Sequence, residues 1–224
     1  MRIGGFQRLS LVDYPGKIAA VIFTQGCNFR CRYCHNASLV CPRSFNTLVD
    51  EGVVLSYLDA RMQKIEGVVI TGGEPTIQEG LLGFMTRIKQ KGFLIKLDTN
   101  GTNPDMVRYA INLKLIDYIA MDVKTSWEKY DALANVKVNT AALKETLDII
   151  LSSKIPYQFR TTVVKQFCLE DDLNNIQGYI GSATAYRVQP FVESKQIIDP
   201  SVNKAPHYTP VEMESFIKRF ERNF

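Results

Sequence analysis

No apolar stretch in this chain approaches the roughly 20 residues that a membrane-spanning helix needs. The start, Met1-Arg2-Ile3-Gly4-Gly5, has no apolar core of signal-peptide length. Membrane insertion and secretion are therefore not expected, and a cytoplasmic setting is. Runs of lysine or arginine are equally scarce: the net charge of +4 is spread along the sequence, with nothing longer than pairs such as Lys218-Arg219. That pattern suggests neither nucleic-acid nor anionic-membrane binding. Repeats, low-complexity tracts and convincing linkers are also missing, so 1–224 reads as one domain, and 46% hydrophobic residues can bury a sizeable core. Cysteine is sparse and odd in number, five in all. A clustering of three, one and one argues against a disulfide framework and for a metal loop in a reducing compartment.

That loop is Cys27, Cys31 and Cys34, spaced C-x3-C-x2-C directly after the apolar run 18–23 and Gly26. Three thiolates leave a metal centre one ligand short, because a closed zinc site takes four protein ligands and an ordinary iron–sulfur carrier supplies four cysteines. A four-iron cluster held by three thiolates keeps one iron open to another ligand. Cys41 and Cys168 are left over and read as ordinary buried or surface thiols.

Short apolar runs recur at 18–23, 67–70, 93–97, 118–121, 157–164 and 185–192. Helical periodicity follows at 48–62, 78–91, 104–113, 140–153, 170–179 and 210–222, the third of these opening on Pro104 after Asn103. Strand alternating with helix implies parallel strands joined by right-handed crossovers. The expected fold is α/β, an incomplete (β/α)6 TIM-type barrel open on one side; an open doubly wound sheet satisfies the same periodicity. The polar segment 193–208 is the longest irregular stretch.

In either architecture function gathers where parallel strands end. The strand ends here hold the cysteine loop, then Thr71-Gly72-Gly73-Glu74-Pro75, then Asp98-Thr99-Asn100-Gly101, then Asp122 and Lys124. Paired glycines allow close backbone approach, and Gly72-Gly73-Glu74 can present carbonyls and a carboxylate to an ammonium group. Asp98 and Asp122 can accept from ribose hydroxyls or hold a cation, and Lys124 can meet a carboxylate. Taken singly, each reads more simply as a turn glycine or a strand-capping charge. Together they point to a ligand site.

With these motifs in order, the chain resembles the radical S-adenosylmethionine superfamily, through Cys27-Asn28-Phe29-Arg30-Cys31-Arg32-Tyr33-Cys34 and the later Gly-Gly-Glu. Within it the likeness is to glycyl-radical-enzyme activases, closest to the anaerobic ribonucleoside-triphosphate reductase activating proteins. It rests on the stretches 10–17, 23–27, 33–36, 98–101 and 121–124. The resemblance implies that Cys27, Cys31 and Cys34 bind three irons of a 4Fe-4S cluster, whose fourth iron is chelated by the amino and carboxylate groups of S-adenosyl-L-methionine. It also implies Tyr33 against the adenine, Gly72, Gly73 and Glu74 at the amino group, and Asp98, Asp122 and Lys124 on the rest of the ligand. Asn36 adds a hydrogen bond, with Arg160 and Gln189 as further contacts. Flavodoxin or ferredoxin would reduce the cluster. The 5′-deoxyadenosyl radical released would take hydrogen from a glycine of a larger partner, a glycyl radical enzyme such as anaerobic ribonucleotide reductase. The stretch 5–17 is expected to border the lateral opening where that partner enters.

Two competing readings remain at this level. A small-molecule radical enzyme similar to the 7-carboxy-7-deazaguanine synthases would share size and cluster loop. A non-catalytic zinc module could recruit His35 as fourth ligand, although its adjacency to Cys34 makes joint ligation awkward. His207 reads as a surface histidine, Trp127 as a packing residue over the barrel edge and Met121 as core.

Overall fold

The computed structural model describes residues 1–181, 183 and 185–222. Seven strands form one sheet in sequence order: β1 (Ile3–Ser10), β2 (Ala19–Thr24), β3 (Gly67–Gly72), β4 (Leu94–Thr99), β5 (Tyr118–Asp122), β6 (Tyr157–Val163) and β7 (Tyr186–Pro190). From β2 onward every pairing is parallel, and β1 and β7 lie at the two edges, so the sheet is an incomplete barrel of six parallel strands. Each of the six expected strands is present to within a few residues.

Strand β1 was not anticipated. It runs antiparallel to β2, pairing Ile3 with Thr24 and Ser10 with Ala19. Its sequence, IGGFQRLS, carries little apolar alternation, and its second half is mostly exposed, so no periodic signal marks it. As part of an edge strand, 5–10 borders the open side of the barrel as expected, whereas the direction of β1 carries 11–17 away from it. The turn after β1 lies at the amino-terminal base of the barrel, away from the strand ends. There Asp13 accepts from Ser10 Oγ at 2.5 Å, and Tyr14 is buried.

The helices are α1 (Ala37–Val40), α2 (Glu51–Asp59), α3 (Leu81–Gln90), α4 (Pro104–Asn112), α5 (Tyr130–Ala134), α6 (Thr140–Ser152), α7 (Glu170–Ile180) and α8 (Pro210–Phe220). Their starts follow local chemistry. Asn103 accepts from Met106 N ahead of Pro104, and Thr209 and Glu212 form a reciprocal capping box on α8. The short α1 and α5 lack the length for a periodic signal. Helix α2 starts later than expected because Asp50 caps it by accepting from Gly52 N at 2.8 Å, and it ends earlier, at Asp59.

Strand alternation divides the interior in two. Ala20, Ile22, Val68 and Ile70 face the main core shared with the helices, whereas Ala19, Val21 and Val69 join Tyr14 in a second apolar layer, with Leu94 and Tyr118 packed against it. Tyr14 meets Tyr118 with ring centroids 5.9 Å apart and lies so close to Gly67 that a Cβ there would stand 2.8 Å from its ring. This layer fills the base of the barrel and leaves the carboxyl ends of the strands as its working end. Met121 is core, as expected, and Trp127 stacks on Tyr179 at 4.3 Å and on Tyr130 at 5.6 Å.

Candidate functional site

A cavity of about 760 Å3 opens at the strand ends. Every residue expected there lines it: Cys27, Cys31, Cys34, Tyr33, Asn36, Gly72, Gly73, Glu74, Asp98, Asp122 and Lys124, together with Arg160 and Gln189. One chain therefore brings four separate strand ends and the cysteine loop to a common space.

The cysteine loop is fixed by backbone contacts from several directions. Gly26 N donates to Leu39 O and Gly26 O accepts from Glu74 N; Arg30 N and Arg32 N donate to the carbonyls of Ala134 and Leu133 at the end of α5. From the carboxyl side, Ile198 N donates to Cys34 O and Asp199 N to Arg32 O, so the irregular stretch after β7 straps the loop down. Asn28 joins it to the turn after β4, accepting from Asn100 Nδ2 at 2.9 Å and donating to Thr102 Oγ1 at 2.7 Å.

Burial pushes the Cys27 thiol up to about 12, with Glu74 adding to the effect, and Cys31 up to about 11; Cys34 also rises through burial. Thiols of this kind ionise readily only beside strong positive charge, which a metal centre supplies. His35 lines the same cavity, with its ring engaged elsewhere. Its Nε2 lies 2.7 Å from Val192 O, and its ring stacks on Phe191, which also meets His207 and Tyr33. Among the described residues no three histidine, cysteine or acidic side chains converge tightly enough for a single metal ion. A structural zinc site takes four protein ligands, whereas a four-iron cluster held by three thiolates keeps one iron open. Of the remaining thiols, Cys168 is packed in the core and Cys41 is half-buried after α1.

The glycines of Gly72-Gly73-Glu74 are required by their own chain. Gly72 has φ +113°, and a Cβ there would stand 2.4 Å from Thr24 N; at Gly73 it would stand 2.1 Å from Gly26 O. The strand tip thus abuts the root of the cysteine loop. The Glu74 carboxylate, read from sequence as facing an ammonium, is instead fully buried. Its Oε1 accepts from Thr76 N, Thr76 Oγ1 and Thr99 Oγ1, and its Oε2 from Asn100 N at 2.6 Å. Burial pushes this carboxyl up, and the four donors offset part of that rise. Glu74 therefore knits the ends of β3 and β4, while the backbone of this segment faces the cavity.

Across the floor runs a row of alternating charge. Lys96 Nζ meets Asp98 Oδ1 at 2.5 Å, Arg160 Nη1 meets Asp98 Oδ2 at 3.2 Å, Arg160 Nε meets Asp122 Oδ1 at 2.9 Å, and Lys124 Nζ meets Asp122 Oδ2 at 3.2 Å. Burial would raise the Asp122 carboxyl, but Arg160 and Lys124 hold it down at about 2. Lys124 stays charged as well: burial lowers it, but Asp122 together with Tyr33, Cys31 and Tyr130 more than offsets that. A zwitterionic amino acid finds both signs here: carboxylates for its ammonium, cations for its carboxylate.

Sequence reasoning missed Lys96, Thr162, Arg187 and Glu221. The last three line the cavity from β6, β7 and the residue after α8, positions no motif marks. Lys96 did leave a signal, a lysine inside the apolar run 93–97.

Comparison with known proteins agrees with this geometry. A protein of Methanocaldococcus jannaschii with the provisional name glycyl-radical enzyme activating enzyme is 34% identical over 209 residues, covering 91% of this chain and 85% of its own length. The pyruvate formate-lyase-activating enzyme of Clostridium pasteurianum is 31% identical over 132 residues, 55% of this chain and 52% of that one, so this chain matches about half of it. The structure of Streptococcus suis SuiB bound to S-adenosylmethionine superposes with a TM-score of 0.62 at 13% identity, covering 90% of this chain and 50% of SuiB; it is a likeness of fold. Residues 21–172, from the middle of β2 into α7, match the Radical SAM superfamily model, and with more than half its length so matched the chain belongs to that superfamily, whose enzymes pair a 4Fe-4S cluster with S-adenosylmethionine.

Proposed function

We propose that this chain is a glycyl-radical-enzyme activase, working as a single domain over 1–224, with anaerobic ribonucleoside-triphosphate reductase as its partner and flavodoxin or ferredoxin as electron donor. The observation that carries the reading is the alignment with the M. jannaschii relative along 85% of its length. The cavity supports it, since three thiols and a row of mixed charge face the same space.

In this reading Cys27, Cys31 and Cys34 hold the 4Fe-4S cluster, and the backbone of Gly72-Gly73-Glu74 with Asp98 and Asp122 holds the ammonium of S-adenosylmethionine. Lys124 meets its carboxylate, Tyr33 lies against the adenine and Asn36 adds a polar contact. Cluster and ligand together supply one-electron cleavage chemistry and abstraction of a hydrogen atom. The protein's own contribution is placement. The hydrogen bonds fixing the cysteine loop, the Glu74 anchor and the charge row hold the two groups in register, and the filled base keeps water out from below.

The test is anaerobic reconstitution with iron and sulfide, reduction with dithionite and assay for 5′-deoxyadenosine, followed by electron paramagnetic resonance of the candidate reductase. A glycyl-radical doublet on the reductase that needs this chain and S-adenosylmethionine is the expected result. Nucleoside formation with no radical on any glycyl-radical enzyme would refute the activase reading.

A further inference from the structure

Lys96 is 3% exposed and lies mid-strand between Val69 and Tyr118, its cross-strand neighbours in the apolar layer that fills the barrel base. It does not line the cavity. Among the described residues its one ion-pair partner is Asp98, at 2.5 Å, whose second oxygen goes to Arg160. Fold stability is a poor explanation for such a residue. An ammonium among apolar side chains is costly to bury, and removing one member of a buried ion pair destabilises chiefly where it leaves the other charge uncompensated. Asp98 would keep Arg160 if the lysine were gone. What it would lose is the anchor on Oδ1, which fixes the rotation of the carboxyl about its last side-chain bond. Arg160 is shared, holding Asp122 through a different nitrogen, so the aim of Asp98 also depends on that second acid unless Lys96 pins it from below.

We propose that Lys96 is a positioning residue, setting the direction in which Asp98 meets the amino-acid end of an adenosyl ligand. This rests on the reading that Asp98 contacts the ligand's ammonium. It gives the ladder an internal division of labour: Lys124 is exposed to the cavity and faces the ligand, whereas Lys96 acts only through the acid above it.

The reconstituted protein is titrated calorimetrically with two probes, S-adenosylhomocysteine, which carries the amino acid, and 5′-methylthioadenosine, which lacks it. For Lys96→Met the expected result is about tenfold weaker binding of S-adenosylhomocysteine, about 1.4 kcal/mol, with 5′-methylthioadenosine binding, iron content and melting temperature unchanged. Lys96→Arg, which restores a cation to Asp98, is expected to recover part of the loss. Should Lys96→Met not fold, Lys96→Gln carries the same comparison. Equal weakening of both probes, or of neither, would overturn the proposal, because a structural role does not discriminate between them. Failure of the wild-type protein to bind either probe is a separate outcome, and it overturns the ligand-site reading together with this inference.

Discussion

Alanine at Gly73 probes the joint on which the whole site turns. A Cβ at that position would stand 2.1 Å from the carbonyl oxygen of Gly26 and 2.7 Å from its carbon. Carbon and oxygen settle at roughly 3.3–3.6 Å even in close Cα–H contacts, so the two backbones must part by roughly 1 Å. Neither can yield cheaply, since both are main chain. The bond from Glu74 N to Gly26 O, 2.9 Å long, breaks with them. Overpacking contributes roughly 1–3 kcal/mol of destabilisation, and the lost hydrogen bond about 1 more. At roughly 2–4 °C per kcal/mol for a chain of this size, melting falls by about 10 °C. The larger effect is on function: Gly26 immediately precedes Cys27, and a displacement of about 1 Å can cost roughly a hundredfold in rate. The assay is thermal unfolding of the metal-free protein by circular dichroism, paired with iron per chain after anaerobic reconstitution. A Gly73→Ala protein that melts with wild type and loads iron fully would refute the steric argument, because it would show that the strand tip and cysteine loop can separate freely.

Three further outcomes are expected. In metal-free protein, burial raises Cys31 from 9.0 to about 11, so at pH 8 its thiolate fraction falls about a hundredfold and alkylation slows in proportion; mass spectrometry showing Cys31 labelled as fast as a free thiol would contradict this. Asp122, at about 2 against an ordinary 3.8, binds its proton more readily in the unfolded chain, so its stabilisation is present above 3.8 and is lost as pH falls through about 2. Asp122→Asn should flatten the stability curve in that window, and urea titrations that stay parallel to wild type would exclude the role given to Arg160 and Lys124. His35→Ala should retain its full iron complement, since the ring faces Val192 O and Phe191; loss of metal on this change, measured by elemental analysis, would restore His35 as a ligand.

The sequence was legible wherever one physical signal dominated. Buried parallel strands produce apolar runs, and Val68–Ile70 or Ile119–Met121 could be read as such because both faces are covered. Strand β1 was hidden because Gln7, Arg8 and Leu9 are exposed and Gly4 and Gly5 carry no side chain. The site residues were legible as a set, since ligands collect at strand ends, but the direction of a side chain was not. Glu74 belongs to the cavity wall, and its carboxylate turns inward because Thr76, Thr99 and Asn100 offer four donors there. The expectation for 5–17 fits its first half, which lies in an edge strand, and misses the second: Tyr14 sits beneath the barrel because β1 is antiparallel, and no local pattern encodes strand direction.

The apolar layer under the barrel, with Tyr14 wedged over Gly67, closes the cavity from below, so whatever enters or leaves passes the strand ends or the open side. For an activase, a macromolecule docked over that end would stand in the path of small products, which the closed base denies any way out below.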